Sequence, residues 1–260
     1  MDYSRQSGLL DPKQIKDKSI SLIGVGATGS YVALLLAQMG WGDAAHGQGV
    51  LRVFDGDKVE PHNLANQIYE EGHIGKPKVE ALNEIILRKC GFKIEAYNQM
   101  VDDKTNSDLL RSTYVFLLTD TMSSRKEIFD KHLRFPFNTD LLVETRMGLK
   151  DGRIYSFNPN NGAHVEEWKK TLYSDDVAEN SLCGTSQSIV STVSFLSSLA
   201  VGRIIQHFNM RYGDDNIRGG KDQGYMQWNE VQFSLYPETF YLRCFGEEPV
   251  LAMPISTEVM

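Results

Sequence analysis

Apolar residues in the first half of the chain follow two alternating patterns. Short, largely apolar runs such as Ser19 to Ile23, Val50 to Phe54 and Tyr114 to Leu118 have the length of buried strands. Between them, stretches such as Ser30 to Met39 and Lys78 to Lys89 space their apolar positions by three and four, the period of a helix with one buried face. The pattern predicts further strands at Lys93 to Tyr97, Leu141 to Thr145 and Arg153 to Phe157, and further helices at Ser107 to Arg111 and Ser123 to His132. Strand-helix alternation implies an α/β fold of the doubly wound, Rossmann-like kind, its sheet largely parallel with helices on both faces. Beyond Asn158 the pattern changes: the chain is polar and irregular to Cys183, with Asn158-Pro-Asn-Asn-Gly162 opening the stretch. Within 185–209, Ile189, Val193, Leu196, Ala200, Ile204 and Phe208 then mark one buried helical face. Two strand-like runs, Tyr225 to Leu235 and Thr239 to Phe245, predict a C-terminal β hairpin.

The first strand passes into Gly24-Val-Gly26-Ala-Thr-Gly29-Ser30 and then into the first helix. Glycines there let backbone approach an anion, and the helix N-terminus presents free N–H groups and positive dipole. Dehydrogenases, methyltransferases and nucleotide-activating enzymes all use such turns. A loop between Trp41 and Gly49 sets Asp55 farther from the glycines than the roughly 20 residues of a dinucleotide fingerprint, which disfavours NAD.

The 260 residues, 41% hydrophobic, suit one α/β domain. No apolar run reaches the roughly 20 residues of a bilayer span, and Met1-Asp-Tyr-Ser lacks a secretory pattern, so the expected location is cytoplasmic. A net charge of −7 with dispersed basic residues counts against nucleic acid as a partner. Cys90, Cys183 and Cys244 are widely spaced with no CxxC pair, so neither a disulfide framework nor structural zinc is expected.

Three further segments narrow the choice. They are Asp55-Gly-Asp57-Lys-Val-Glu-Pro-His-Asn63-Leu-Ala-Asn66-Gln67, then Ile74-Gly75-Lys76-Pro77-Lys78, then Thr119-Asp120-Thr-Met-Ser-Ser-Arg125. With the opening Tyr3-Ser4-Arg5-Gln6 they resemble, in order and spacing, the E1-like, ThiF/MoeB-type adenylating enzymes. That family's pattern runs YxRQ, GxGxxGS, DxDxVxxxNLxRQ, IGxxK and TDxxxxR. The resemblance covers the first half of the chain and thins after about Pro159. It implies a nucleotide-binding domain at 19–210, preceded by an N-terminal element at 1–18. A crossover loop is expected at about 158–184, and 211–260 form a β extension of the same domain.

The resemblance also implies ATP and Mg²⁺ as cofactors and, as partner, a ubiquitin-like or sulfur-carrier protein ending in Gly-Gly. The ATP site would be built from Gly24, Gly26, Gly29, Ser30, Asp55, Asp57, Asn63, Asn66, Gln67, Lys78, Asp120 and Arg125. Several of these admit a second reading. Asp55 can bind both ribose hydroxyls or simply form a turn before Gly56, and Asp57 is as readily structural. Lys78 can meet phosphate as a point charge or serve as an ordinary first-turn lysine beside solvent-facing Lys76. Asp120 can hold magnesium at a strand end or cap the next helix, and Arg125 can make a structural ion pair instead. Cys183 precedes the long helix as the family's reactive cysteine does, where a helix dipole favours its thiolate; the alternative is a small buried residue. Cys90 and Cys244 read as core, and His62, His73 and His164 as surface or loop residues.

Asn66 departs from the family, which has an arginine there that contacts phosphate. Arg5 and Lys76 are the candidate replacements; in ThiF/MoeB-type homodimers the arginine corresponding to Arg5 enters the partner's site. The resemblance thus points to adenylation of a carrier's C-terminal carboxylate, with Lys78, Arg5 and Cys183 as the catalytic residues and thioester formation on Cys183 as a following step. Three alternatives stay open: a tRNA-modifying E1-like dehydratase; a nicotinamide oxidoreductase, which would use the same glycine turn; and, because of Asn66, a non-catalytic partner subunit that binds a ubiquitin-like protein.

Overall fold

The computed structural model describes residues 2–6, 9–10, 15–43, 49–134, 138–178, 188–212 and 228–252. Cys183 lies outside the described residues. Five parallel strands come first: β1 (Ile20–Ile23), β2 (Leu51–Phe54), β3 (Glu95–Tyr97), β4 (Tyr114–Leu117) and β5 (Leu141–Met147). Four strands then extend the sheet with antiparallel pairing: β6 (Asp151–Phe157), β7 (Glu230–Leu235), β8 (Glu238–Arg243) and β9 (Val250–Leu251). The order across the sheet is β3-β2-β1-β4-β5-β6-β7-β8-β9. The order reverses at β1 and β4, the switch point at which doubly wound sheets bind ligands beyond the carboxyl ends of their strands.

Helices cover both faces. One layer is α1 (Ala27–Gln38), α2 (Lys78–Cys90) and α7 (Val190–Tyr212); the other includes α3 (Ser107–Leu110), α4 (Met122–Ile128) and α5 (Gly162–Lys170), and a short α6 spans Asp175–Ala178. The strands alternate between these layers. Tyr114 and Phe116 of β4 pack with Leu36, Ile204 and Phe208, while Val115 and Leu117 pack with Phe129 and Trp168. Side chains buried on both faces account for the near-continuous apolar runs of these strands.

The hairpin expected at the C-terminus is β7 and β8, joined to the main sheet through β6. The helix expected from Ser30 begins earlier, at Ala27, so Gly29 and Ser30 lie in its first turn. The described part of the polar stretch after Asn158, up to residue 178, is more ordered than it reads. Asn161 caps α5 through its side chain, which accepts from the Ala163 and His164 N–H groups, and Val165 and Trp168 are buried three apart. Two apolar residues in a nine-residue helix are too few to raise a periodic signal. Ile189, assigned to the buried face of the long helix, precedes α7 and is exposed. His73 is buried rather than superficial: its Nδ1 accepts the Glu70 N–H at 3.1 Å in a short turn that closes on itself. Cys90 is core, whereas Cys244 follows β8 and is only half-buried.

Candidate functional site

The glycine turn is shaped by steric demand at two positions and by open space at a third. Gly24 has φ +94°, where L side chains are strained, and a Cβ there would stand 2.7 Å from the Leu118 carbonyl oxygen. A Cβ on Gly29 would stand 2.0 Å from the Gly24 carbonyl oxygen. Beside Gly26 nothing lies within 4 Å of the corresponding point. Gly26 caps α1, and its carbonyl accepts the Ser30 N–H at 3.0 Å. The turn therefore folds tightly on its inner side and stays open where the first N–H groups of α1 emerge, the geometry that suits an anion.

From this turn a line of hydrogen bonds reaches α2. The Val25 N–H donates to Asp55 Oδ2 at 2.8 Å, and the Asp57 N–H donates to Asp55 Oδ1 at 2.8 Å. Lys78 Nζ then donates to Asp57 Oδ2 at 3.0 Å, while the Lys78 N–H donates to the Asp57 carbonyl at 2.8 Å. The Lys78 side chain is only 10% exposed and that of Asp57 61%, so the ammonium is held at the base of the site with its carboxylate partner facing water. Asp57 is thereby the positioning group for Lys78. Lys76, as expected, turns outward to Glu84.

Tyr69 carried no signal in the sequence and is part of this arrangement. Its hydroxyl, 4% exposed as a residue, donates to the Val25 carbonyl at 2.7 Å. Burial, reinforced by Asp55 and Asp57, pushes its pKa well above the usual phenol range and keeps it a neutral donor. Asp55 and Tyr69 thus pin both backbone groups of Val25. Ser30 is buried, its Oγ donating to the Ala27 carbonyl and lying 3.5 Å from the Ile68 N–H. Asn63 is also buried and uses Oδ1 to accept the Glu60 N–H, which closes the turn at Pro61–Ala65.

Asp120 stands just beyond β4, exposed, and among the described residues no hydrogen bond or ion pair takes up its carboxylate. It does not cap α4: Thr121 does, accepting the Ser124 N–H at 3.2 Å. Arg125 points the other way. It is 5% exposed, donates to the Thr119 and Thr145 carbonyls, and its Nε lies 3.1 Å from Glu144 Oε1 at an angle that makes an ion pair rather than a hydrogen bond. Glu144, fully buried, also receives Arg146 and the Trp168 indole N–H at 3.1 Å. Burial acts to raise the Glu144 pKa, and Arg146 and Arg125 overcome this and hold it below the usual carboxylate range. Arg146 donates onward to the Thr171 carbonyl and hydroxyl, so this triad joins the Asp120 loop to the end of α5.

Two more expected residues lie close to the turn, and one lies away from it. Asn66 approaches Ser188, whose Oγ is 2.5 Å from Asn66 Nδ2; Asn66 Oδ1 and Gln67 Oε1 are both buried with no hydrogen-bond partner among the described residues. Arg5 is exposed on a short turn whose neighbours dock at the far end of α1. Tyr3 bonds Asp43, and Gln6 Nε2 donates to the Met39 carbonyl. Since α1 has 12 residues, that end lies about 18 Å from Gly26 along the helix axis. Among the described residues no three His, Cys, Asp or Glu side chains are grouped to hold a metal ion, and no helix is long and apolar enough to cross a membrane.

A family model, that of the ThiF family, matches residues 3–237. Over 110 residues the chain is 33% identical to ubiquitin-like modifier-activating enzyme 5 of Caenorhabditis briggsae, covering 42% of this chain and 24% of that protein. Over 102 residues it is 40% identical to the adenylyltransferase and sulfurtransferase MOCS3 of Oryza sativa subsp. japonica, covering 39% and 20%. The matched part is thus about a quarter or less of these curated relatives. The fold is similar to that of E. coli MccB in its crystal structure with MccA, at TM-score 0.64 and 14% identity over 96% of this chain and 73% of that one. It is also similar to PaaA, at TM-score 0.61 and 17% identity over 97% and 70%.

Proposed function

Because the chain belongs to the ThiF family, we propose that it is an ATP-dependent adenylyltransferase that activates the C-terminal carboxylate of a ubiquitin-like or sulfur-carrier protein. The observation that carries this reading is the run of hydrogen bonds from Val25 through Asp55 and Asp57 to Lys78, on the same sheet edge as Asp120, whose exposed carboxylate makes no hydrogen bond or ion pair among the described residues. ATP would lie with its phosphates over the open side of Gly26 and its ribose on Asp55, whose carboxylate oxygens retain lone pairs beyond the two bonds they accept. The carrier carboxylate attacks the α-phosphorus. A new acyl–oxygen–phosphorus bond forms, the bridging bond to the β-phosphate breaks, and its electron pair leaves with pyrophosphate. A carboxylate needs no general base, so the task of the site is to align two anions and offset their repulsion. Lys78, pre-positioned by Asp57, supplies one fixed cation.

The donor set at Asp120 fits magnesium: an accessible carboxylate at a strand end, without a competing protein partner among the described residues. Bound there, Mg²⁺ would neutralise phosphate charge. The names of the curated relatives, a ubiquitin-like modifier-activating enzyme and an adenylyltransferase with sulfurtransferase, support the carrier class. Arg5 would serve the site of a second copy in a homodimer, a reading supported by the docking of its neighbours at the wrong end of α1 for its own glycine turn. The Cys183 thiolate would then attack the acyl carbon of the adenylate, forming a thioester as the acyl–oxygen bond breaks and AMP leaves with its electron pair.

Asn66 favours one competing reading, a non-catalytic subunit that binds carrier without activating it. ATP-pyrophosphate exchange with Gly-Gly-ended carriers separates the two. Adenylation requires exchange in the wild-type protein and its loss in both Lys78→Ala and Asp120→Ala. Thermal unfolding should change little in Asp120→Ala, whose side chain is exposed; Lys78→Ala truncates a side chain only 10% exposed, so its exchange is measured well below its own unfolding midpoint. Exchange that survives both substitutions overturns the site assignment.

A further inference from the structure

The N–H groups that open α1 are left without a protein partner, and the contact that keeps them so is made by Tyr69. Gly26 caps the helix with no side-chain bond, whereas a serine or aspartate there would take up one of these donors. The first helical bond runs from the Ser30 N–H to the Gly26 carbonyl at 3.0 Å, and among the described residues the N–H groups of Gly26, Ala27, Thr28 and Gly29 make no hydrogen bond. Thr28 and Gly29 are nevertheless buried residues, and buried N–H groups are rarely left unpaired in folded proteins.

Winding the helix back by one residue would remove one of these donors. A helix that included Gly26 would set the Gly29 N–H on the Val25 carbonyl. Gly26 instead has φ −70° and ψ −140°, far from the ψ of about −42° in a helix, and the Val25 carbonyl is taken by the Tyr69 hydroxyl at 2.7 Å. The Val25–Gly26 peptide is planar and trans, so its carbonyl and N–H point opposite ways, and holding the carbonyl on Tyr69 turns the Gly26 N–H away from that ring. Asp55 fixes the preceding peptide through the Val25 N–H at 2.8 Å. Tyr69 is itself held in place: it is buried, and the Ile68 N–H beside it lies 3.5 Å from Ser30 Oγ in the first turn of α1.

We propose that Tyr69 is a positioning residue of the nucleotide site: by holding the Val25 carbonyl it stops α1 from winding back through Gly26, and so keeps the Gly29 N–H, with those of Gly26 to Thr28, available to phosphate oxygens. This rests on the nucleotide reading above. Tyr69 acts through the Val25–Gly26 peptide rather than by contact with the ligand. Without its hydroxyl the buried Val25 carbonyl needs another donor, and the Gly29 N–H, four residues on, is the one that the helix supplies.

The test is equilibrium dialysis of the full chain with labelled ATP in the presence of Mg²⁺ and, separately, with labelled adenosine, which has no phosphate. Tyr69→Phe keeps the ring and removes only the hydroxyl; it should weaken ATP roughly tenfold, the loss of one hydrogen bond to a charged acceptor, and leave adenosine unchanged. A tyrosine that serves only the fold would move both ligands alike or neither. Amide NMR of the wild type gives a second reading that needs no variant: ATP, and not adenosine, should shift the Gly26 and Gly29 N–H resonances. Wild-type ATP affinity in Tyr69→Phe, equal losses of ATP and adenosine, or a Gly29 resonance that ATP leaves in place overturns the assignment to Tyr69 while leaving the nucleotide reading intact. A wild-type chain that binds neither ligand overturns that reading itself.

Discussion

Substituting alanine for each glycine of the turn after β1 should separate Gly26 from Gly24 and Gly29, and the structure sets the order. At Gly29 two effects oppose. Alanine is the better helix residue by about 1 kcal/mol, but its Cβ would sit 2.0 Å from the Gly24 carbonyl oxygen, which is backbone and cannot rotate away. Overpacking of this kind costs about 1–3 kcal/mol and occasionally more; with contact this close the cost lies at the upper end, so sterics win by about 2 kcal/mol. At Gly24 the positive φ adds about 1–2 kcal/mol of backbone strain to a contact of 2.7 Å with the Leu118 carbonyl oxygen. At Gly26 nothing obstructs a methyl group, and the loss is that of a glycine cap replaced by alanine, about 0.5–1 kcal/mol. For a chain of this size each kcal/mol moves Tm by about 2–4 °C. Gly24→Ala and Gly29→Ala should therefore each lower Tm by about 4–8 °C, and Gly26→Ala by no more than about 4 °C. ATP binding should divide differently: the Gly26 methyl group would fill the space assigned to phosphate, so that nearly stable variant should lose nucleotide affinity outright. Differential scanning fluorimetry and ATP dialysis on the three proteins check both orders. A Gly26→Ala protein that binds ATP normally would refute the placement of the phosphates, and one as unstable as Gly29→Ala would refute the steric argument.

Three more outcomes follow from charge and chemistry. The depressed pKa of Glu144 contributes stability that is present at neutral pH and lost as pH falls through its folded value; Tm should therefore fall with acidification, and Glu144→Gln should be less stable at pH 7 yet show a shallower fall below it. Cys183→Ala should retain pyrophosphate exchange and lose any reducible adduct with carrier on a non-reducing gel, whereas persistence of that adduct removes Cys183 from the mechanism. Arg5→Ala and Lys78→Ala should each be inactive alone but recover up to roughly a quarter of wild-type sites when mixed, by the counting of a symmetric two-site dimer; no recovery despite demonstrated subunit exchange means that Arg5 acts within its own chain or is only structural.

The parallel half of the sheet was legible because β1, β2 and β4 are buried on both faces and so read as apolar runs, and because glycine and the β1–α1 boundary mark the turn between them. The positions of Asp55 and Lys78 were legible from motif spacing alone. The hydrogen bonds that organise them were not: Tyr69 reaches Val25 across 44 positions, a relation that no local pattern carries. Glu144 and Arg146 lie in a strand that reads as apolar, and their burial follows from the pairing of Glu144 with Arg146 and with Arg125, the latter 19 residues away in sequence. Arg125 reads equally as ligand contact or structural cation for the same reason. Its orientation depends on a carboxylate supplied by another strand.

The antiparallel extension has a bearing on how such a protein can change. Because β6 runs back from β5 and β8 runs back from β7, the turns after β5 and β7 open on the same edge as the glycine turn. They are fastened together, with Lys150 Nζ donating to the Tyr236 carbonyl at 2.7 Å, and to α7 through Thr192 and the Leu149 carbonyl. The groups proposed to meet the nucleotide, Gly24, Asp55, Lys78 and Asp120, all precede these turns in the chain and belong to the ends of other strands or, for Lys78, to α2. Doubling the length of a surface loop costs only about 0.6 kcal/mol in closure entropy. Lineages could therefore remodel the rim around 148–150 and 236–237, and with it the choice of macromolecule presented to a shared chemistry, while the strands beneath the phosphate turn stay as they are.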